Sequence, residues 1–99
     1  MPIRVLLPSY LRSFAGGRRE VALSPAARTV AEALEELWRL HPGLRDRVLT
    51  ERGAVRPYVN IFVGQANIRE AGGLAAPVSE GCEILIVPNV AGGCPGQRG

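Results

Sequence analysis

The sequence predicts an α+β domain: a mixed sheet of four to five strands with one main helix across one face. Three observations carry this. Segments near both ends of the chain and near residue 60 alternate in polarity at the two-residue period of half-buried strands. The stretch after Thr29 instead repeats apolar residues at three- and four-residue steps, the period of an amphipathic helix. Gly and Pro separate these segments wherever the period changes.

Residues 2 to 7 place Ile3, Val5 and Leu7 on one face and Arg4 and Leu6 on the other, and Pro8 stops the strand. Leu11 and Phe14 are expected to tuck under the connection before the Gly16-Gly17 turn. Residues 20 to 23 form the second arm of a hairpin, with Val21 and Leu23 inward, and Pro25 breaks it. Thr29-Val30-Ala31-Glu32 reads as a capping box, in which the Thr29 hydroxyl accepts from the third helical N–H and Glu32 reaches back to the Thr29 N–H. Val30, Ala33, Leu34, Leu37 and Leu40 make the apolar stripe; Glu32, Glu35, Glu36 and Arg39 face water. Pro42-Gly43 ends the helix, with Gly43 suited to a left-handed cap.

Leu44, Val48 and Leu49 suggest a short second helical turn, and Gly53 marks a loop. In the third strand, 58 to 63, Val59, Ile61 and Val63 share one face and Tyr58, Asn60 and Phe62 the other. Residues 65 to 82 are turn-rich. The last strand, 83 to 87, buries Ile84 and Ile86, leaves Leu85 and Val87 on the open face, and ends at Pro88. The first and last strands can pair in parallel at the sheet centre, because the intervening chain supplies the crossover. Hairpin, helix, strand, irregular stretch and strand make the β-grasp, or ubiquitin-like, arrangement.

The chain has 99 residues, enough for one domain. It divides into a β-grasp domain at 1–90 and a tail at 91–99 that carries a glycine pair and an extension. With 46% hydrophobic residues, it can pack a core without metals or disulfide staples. The +3 formal charge is modest, and the basic residues are scattered among glutamates, without the stripe that nucleic-acid binding favours. No signal pattern or membrane-length apolar run is present, so a cytoplasmic, reduced setting is expected. If 83 to 90 is a strand rising ~3.3 Å per residue, Cys82 and Cys94 lie roughly 30 Å or more apart and do not bridge unless the tail folds back.

Every basic residue is arginine and none is lysine. Codon bias explains that; so does a chain end that becomes an activated acyl group and benefits from the absence of ε-amines.

The segments Val59-Asn60-Ile61-Phe62-Val63, Ile68-Arg69, Gly73-Leu74, Gly81-Cys82-Glu83 and Val87-Pro88-Asn89-Val90-Ala91-Gly92-Gly93 resemble the MoaD/ThiS-like sulfur carriers, in particular the CysO-like branch. Leu11-Arg12, Gly16-Gly17, the Thr29 helix start and Pro42-Gly43-Leu44 agree with the same family. Two departures stand out: Cys82 occupies a position where the family usually has Asp, and six residues, Cys94 to Gly99, follow the glycine pair.

The resemblance implies a carrier acted on by enzymes, with no bound cofactor and no metal. A MoeB/ThiF-like partner would use ATP to adenylate the C-terminal glycine, and a sulfur donor would convert it to a thiocarboxylate. A sulfur-accepting biosynthetic enzyme would then take the sulfur, for cysteine or a sulfur-containing natural product first, molybdopterin or thiamine otherwise. On this reading Gly93 carries the sulfur, Gly92 positions it, and Gly93-Cys94 is the processing site of a JAMM-type metallopeptidase. Glycine suits a tail that must thread into a partner's active site, because it has no Cβ to collide with the walls. A carboxylate, with its pKa near ~3.5, is a poor electrophile until activated.

Tyr58, Phe62, Leu85 and Val87 form the expected partner-binding surface, with coverage by the 65–82 loop as the alternative. Arg12, Arg56 and Arg69 read as solvated or as partners for a neighbour's acids. His41 has no ligand companions, Trp38 borders the core, and Cys82 is a small structural residue. Two other readings remain: a ubiquitin-like modifier conjugated through Gly93, and an interaction domain without tail chemistry. A thioester rearrangement at Gly93-Cys94 is a rarer variant.

Overall fold

Alternation fixes which side chains enter the core, and the strands follow it closely. In a computed structural model that describes residues 1–88, β1 (Ile3–Leu6), β2 (Glu20–Leu23), β3 (Val59–Val63), β4 (Ala66–Asn67) and β5 (Glu83–Pro88) form one sheet in the order β2-β1-β5-β3-β4. β1 and β5 run parallel, and the other neighbours are antiparallel. Ile3, Val5, Val59, Ile61, Ile84 and Ile86 are completely buried on one face. The helix α1 (Val30–Leu40) contributes Val30, Ala33, Leu34 and Leu37 to the same core. This is the expected mixed sheet with one main helix across one face. β4 is a fifth strand of two residues, too short for a period to announce.

Thr29 is extended, and its hydroxyl accepts from the Glu32 N–H at 3.2 Å, so the capping residue is where expected. The return bond differs: the Glu32 carboxylate takes the Arg28 N–H at 2.9 Å, one residue earlier than Thr29. The Val30 N–H donates to the Ala76 carbonyl and the Val78 N–H to the Arg28 carbonyl, clipping the 65–82 stretch to the start of the helix. The first of these satisfies a donor that a helix N-terminus otherwise leaves open.

The other end of α1 departs from expectation twice. Gly43 does not adopt a left-handed cap; His41 ends the helix with non-helical dihedrals (φ −139°, ψ 78°), its N–H on the Leu37 carbonyl, and Pro42–Leu44 forms a 3-10 turn. A Cβ at Gly43 would lie 3.4 Å from Phe14 Cδ1, so close packing, rather than a positive φ, suits glycine there. Leu40 is not in the core: it is 52% exposed. The sheet edge beneath that end is the four-residue β2, which leaves the last turn of the helix without a floor.

The Ser9–Ala15 connection is a 3-10 helix that buries Leu11 and Ala15 and leaves Phe14 half-buried beneath the Arg47 guanidinium, 4.6 Å from its ring centroid. The second helical turn is α2 (Arg45–Val48), and Leu44, Val48 and Leu49 are buried. Trp38 borders the core as expected, and Cys82 packs half-buried against it.

Candidate functional site

β5 is the central strand, bonded to β1 on one side and β3 on the other. Its last described residue, Pro88, pairs with Val59 and so lies at the middle of the sheet, beside Tyr58. Tyr58 lies in the turn just before β3 rather than within the strand, because the Val59 N–H closes onto the Arg56 carbonyl at 3.0 Å. It is 51% exposed.

The outer face follows from register. Phe62 pairs with Leu85, Asn60 with Val87, and Leu6 with Leu85 across the parallel ladder. Leu85 is 36% exposed, and Phe62, Val87 and Leu6 are half-buried. Three of the four expected surface residues therefore form one apolar patch with Leu6, and Tyr58 stands at the Pro88 end of β5. The 65–82 stretch does not enclose this patch, because Ile68 and Ala76 turn into the core and the stretch is clipped to the helix. A recess of about 300 Å³, lined by residues that include Leu6, Pro8, Arg12, Arg19, Leu85 and Val87, continues the patch along the end of β5. Tyr10 lies close to Tyr58: burial, and then the Tyr58 phenol, push its hydroxyl above its ordinary pKa of 10.0.

Charge borders the patch at the opposite end of the strands. The Arg4 guanidinium bonds the Glu83 carboxylate and lies 3.7 Å from Glu20. These groups are exposed, so the pairs contribute at most about 1 kcal/mol and serve chiefly to border the apolar surface.

The three arginines read as solvated or partner-facing have local work. Arg69 donates from Nε to Asn60 Oδ1 at 3.1 Å and from Nη2 to the carbonyls of Arg56 and Val59 at 2.9 and 2.7 Å. It thereby clamps the start of β3, the segment that pairs with the end of β5. Arg12 Nε bonds the Leu7 carbonyl, and Arg56 Nε bonds the Asp46 carbonyl at 2.7 Å. Such long-range side-chain-to-backbone bonds leave no periodic signal in the sequence.

Gly92, Gly93 and Cys94 lie outside the described residues. Among the described residues no group of three or more His, Cys, Asp or Glu side chains could hold a metal ion, and no helix is long and apolar enough to cross a membrane.

A five-stranded mixed sheet packed on one main helix, with the last described strand at its centre, defines a ubiquitin-like β-grasp protein. Comparison with known proteins narrows the class. Residues 5–93 match the ThiS family. The sulfur carrier protein CysO of Mycobacterium tuberculosis is 32% identical over 95 residues, covering 94% of this chain and 100% of the relative. A chain of the Amycolatopsis orientalis BexX/CysO complex superposes with a TM-score of 0.83 at 32% identity, covering 92% of this chain and 99% of that one. SAMP1 from Haloferax volcanii superposes with a TM-score of 0.76 at 26% identity, covering 94% and 100%.

The chain belongs to the ThiS family, as a sulfur carrier protein of the ThiS/CysO type. Proteins of this kind are carriers and not enzymes.

Proposed function

We infer that the carried sulfur is a thiocarboxylate on Gly93, formed after a JAMM-type peptidase removes residues 94–99 and leaves the 1–90 domain with a short glycine-ended tail. The observation that carries this reading is that β5, the central strand and the last described element, reaches Pro88 beside an apolar patch that an activating enzyme can grip. The end of the family match at Gly93 supports it.

The chemistry follows from the carboxylate. A MoeB/ThiF-like enzyme transfers AMP from ATP to the Gly93 carboxylate and releases pyrophosphate. Sulfide released by the donor then attacks the acyl carbon, and as the C–S bond forms AMP departs with the C–O bond electrons, leaving the thiocarboxylate. The terminal sulfur is a nucleophile, held until an acceptor enzyme uses it. The CysO relatives favour cysteine or a sulfur-containing natural product as its destination. Tyr58, Phe62, Leu85 and Val87 dock the activating and accepting enzymes while the tail enters their active sites.

The likeness to SAMP1, a small archaeal modifier protein, favours one second reading: conjugation of Gly93 to protein amines. Reconstitution separates the two. Chain ending at Gly93, given ATP, a ThiF-like enzyme and a sulfur donor, should gain the mass difference between one sulfur and one oxygen atom. Chain retaining residues 94–99 should not react. Higher-mass protein adducts without the thiocarboxylate would favour the modifier, and activation of the uncut chain would overturn the processing step.

A further inference from the structure

β2 is an outermost strand, and its open edge lies two strands from β5. The Leu7 N–H donates to the Arg19 carbonyl at 2.8 Å, and the register pairs Val5 with Val21. Bonded residues alternate along an antiparallel pair, so Arg19, Val21 and Leu23 turn their N–H and C=O groups toward β1, while Glu20 and Ala22 turn theirs outward. Ser24, next in that alternation, has its outward N–H taken by both Glu36 carboxylate oxygens at 3.0 and 3.1 Å. Among the described residues no strand takes the outward groups of Glu20 and Ala22.

Beside this edge lies a groove of about 350 Å³ lined by Arg18, Val21, Ala22, Leu40 and His41. Leu40 is the one residue of the expected helical stripe that the core rejects, and it stands half-exposed above the groove. No carboxylate lines the groove, and the Arg18 guanidinium forms no ion pair among the described residues.

We propose that this groove captures an extended, acidic-flanked peptide segment of a partner protein, which adds as a further strand to β2. The open N–H and C=O groups of Glu20 and Ala22 call for a peptide backbone, since only another chain presents donors and acceptors at the matching ~6–7 Å repeat. Leu40 supplies the apolar contact for one side chain of that segment, and Arg18 supplies the counter-charge for a carboxylate beside it. A second copy of this chain is a poorer occupant: it carries the same +3 charge, and its own Arg18 and Arg19 lead into β2. The segment is held through two backbone positions only, so the interaction is weak and exchanges quickly. It goes beyond the sulfur-carrying reading, because it needs neither activation nor cleavage of the tail.

The test is NMR titration of the ¹⁵N-labelled full chain with a synthetic peptide that alternates valine and threonine and ends in a run of aspartates. Amide shifts should concentrate at Val21, Ala22, Leu40 and His41. Leu40→Ala should weaken binding about tenfold, the loss expected when one apolar contact is truncated. Arg18→Ser should weaken it and reduce its dependence on salt. Ala22→Pro removes only an outward N–H, which an edge strand tolerates, so the variant should fold and bind at least about tenfold more weakly. Shifts centred on Phe62 and Leu85, unchanged affinity in the Leu40 and Arg18 variants, or loss of fold on Ala22→Pro would each overturn the proposal. So would self-association through β2 in sedimentation experiments.

Discussion

The two faces of the sheet share the same strands, and they do opposite work. On the helix side Ile3, Val5, Val59, Ile61, Ile84 and Ile86 are completely buried, all of them β-branched aliphatics. On the other side the intervening residues are Arg4, Leu6, Glu83, Leu85, Val87, Asn60 and Phe62, a mixture of charge and partly exposed apolar surface. A strand turns successive side chains to opposite faces, so one stretch such as Glu83–Pro88 writes two messages at once. The even positions Ile84 and Ile86 specify the fold, and the odd positions Leu85 and Val87 form the outer surface proposed to dock partner enzymes. The helix covers only the first message.

That contrast breaks most sharply in a pair of neighbouring substitutions. Ile86→Ala opens a cavity in a completely buried site and should cost about 2–5 kcal/mol of stability, read as a lowered urea midpoint. Its neighbour Leu85→Asp should change stability by about 1 kcal/mol or less, yet raise the KM for adenylation about tenfold or more by placing a charge in the proposed docking patch. If Leu85→Asp unfolds the chain, or leaves that KM untouched, the two faces are not divided as described.

A smaller effect sharpens the boundary between the faces. Arg69→Ala removes three hydrogen bonds at the start of β3, two of them to backbone carbonyls, and should cost about 1–3 kcal/mol. Arg69→Lys should recover only part, because an ammonium cannot reproduce the spread of the guanidinium fork. Hydrogen exchange should locate the loosening at Val59 and Asn60.

The same contrast explains how much was legible beforehand. Alternation reveals the strands and the division of their faces, and the helical period reveals α1 with its Thr29 cap, because local geometry imposes both patterns on the sequence. The patch of Phe62, Leu85 and Val87 was legible for that reason. The two-residue β4, the Val30–Ala76 clip, the Arg69 clamp and the exposure of Leu40 were not. Each depends on which distant segment arrives beside the residue, and a residue's period carries no record of its distant neighbours. Gly43 illustrates the limit: the sequence offers glycine at a helix end, and only the arrival of Phe14 distinguishes a packing glycine from a left-handed cap.

The central claim concerns the chemical end of the chain. Intact-mass spectrometry of the protein isolated from its own cells, in the form that supports sulfur transfer, tests it most directly. The account predicts a chain ending at Gly93 with one oxygen of the terminal carboxylate replaced by sulfur. An active form that still carries Cys94 to Gly99 would contradict it.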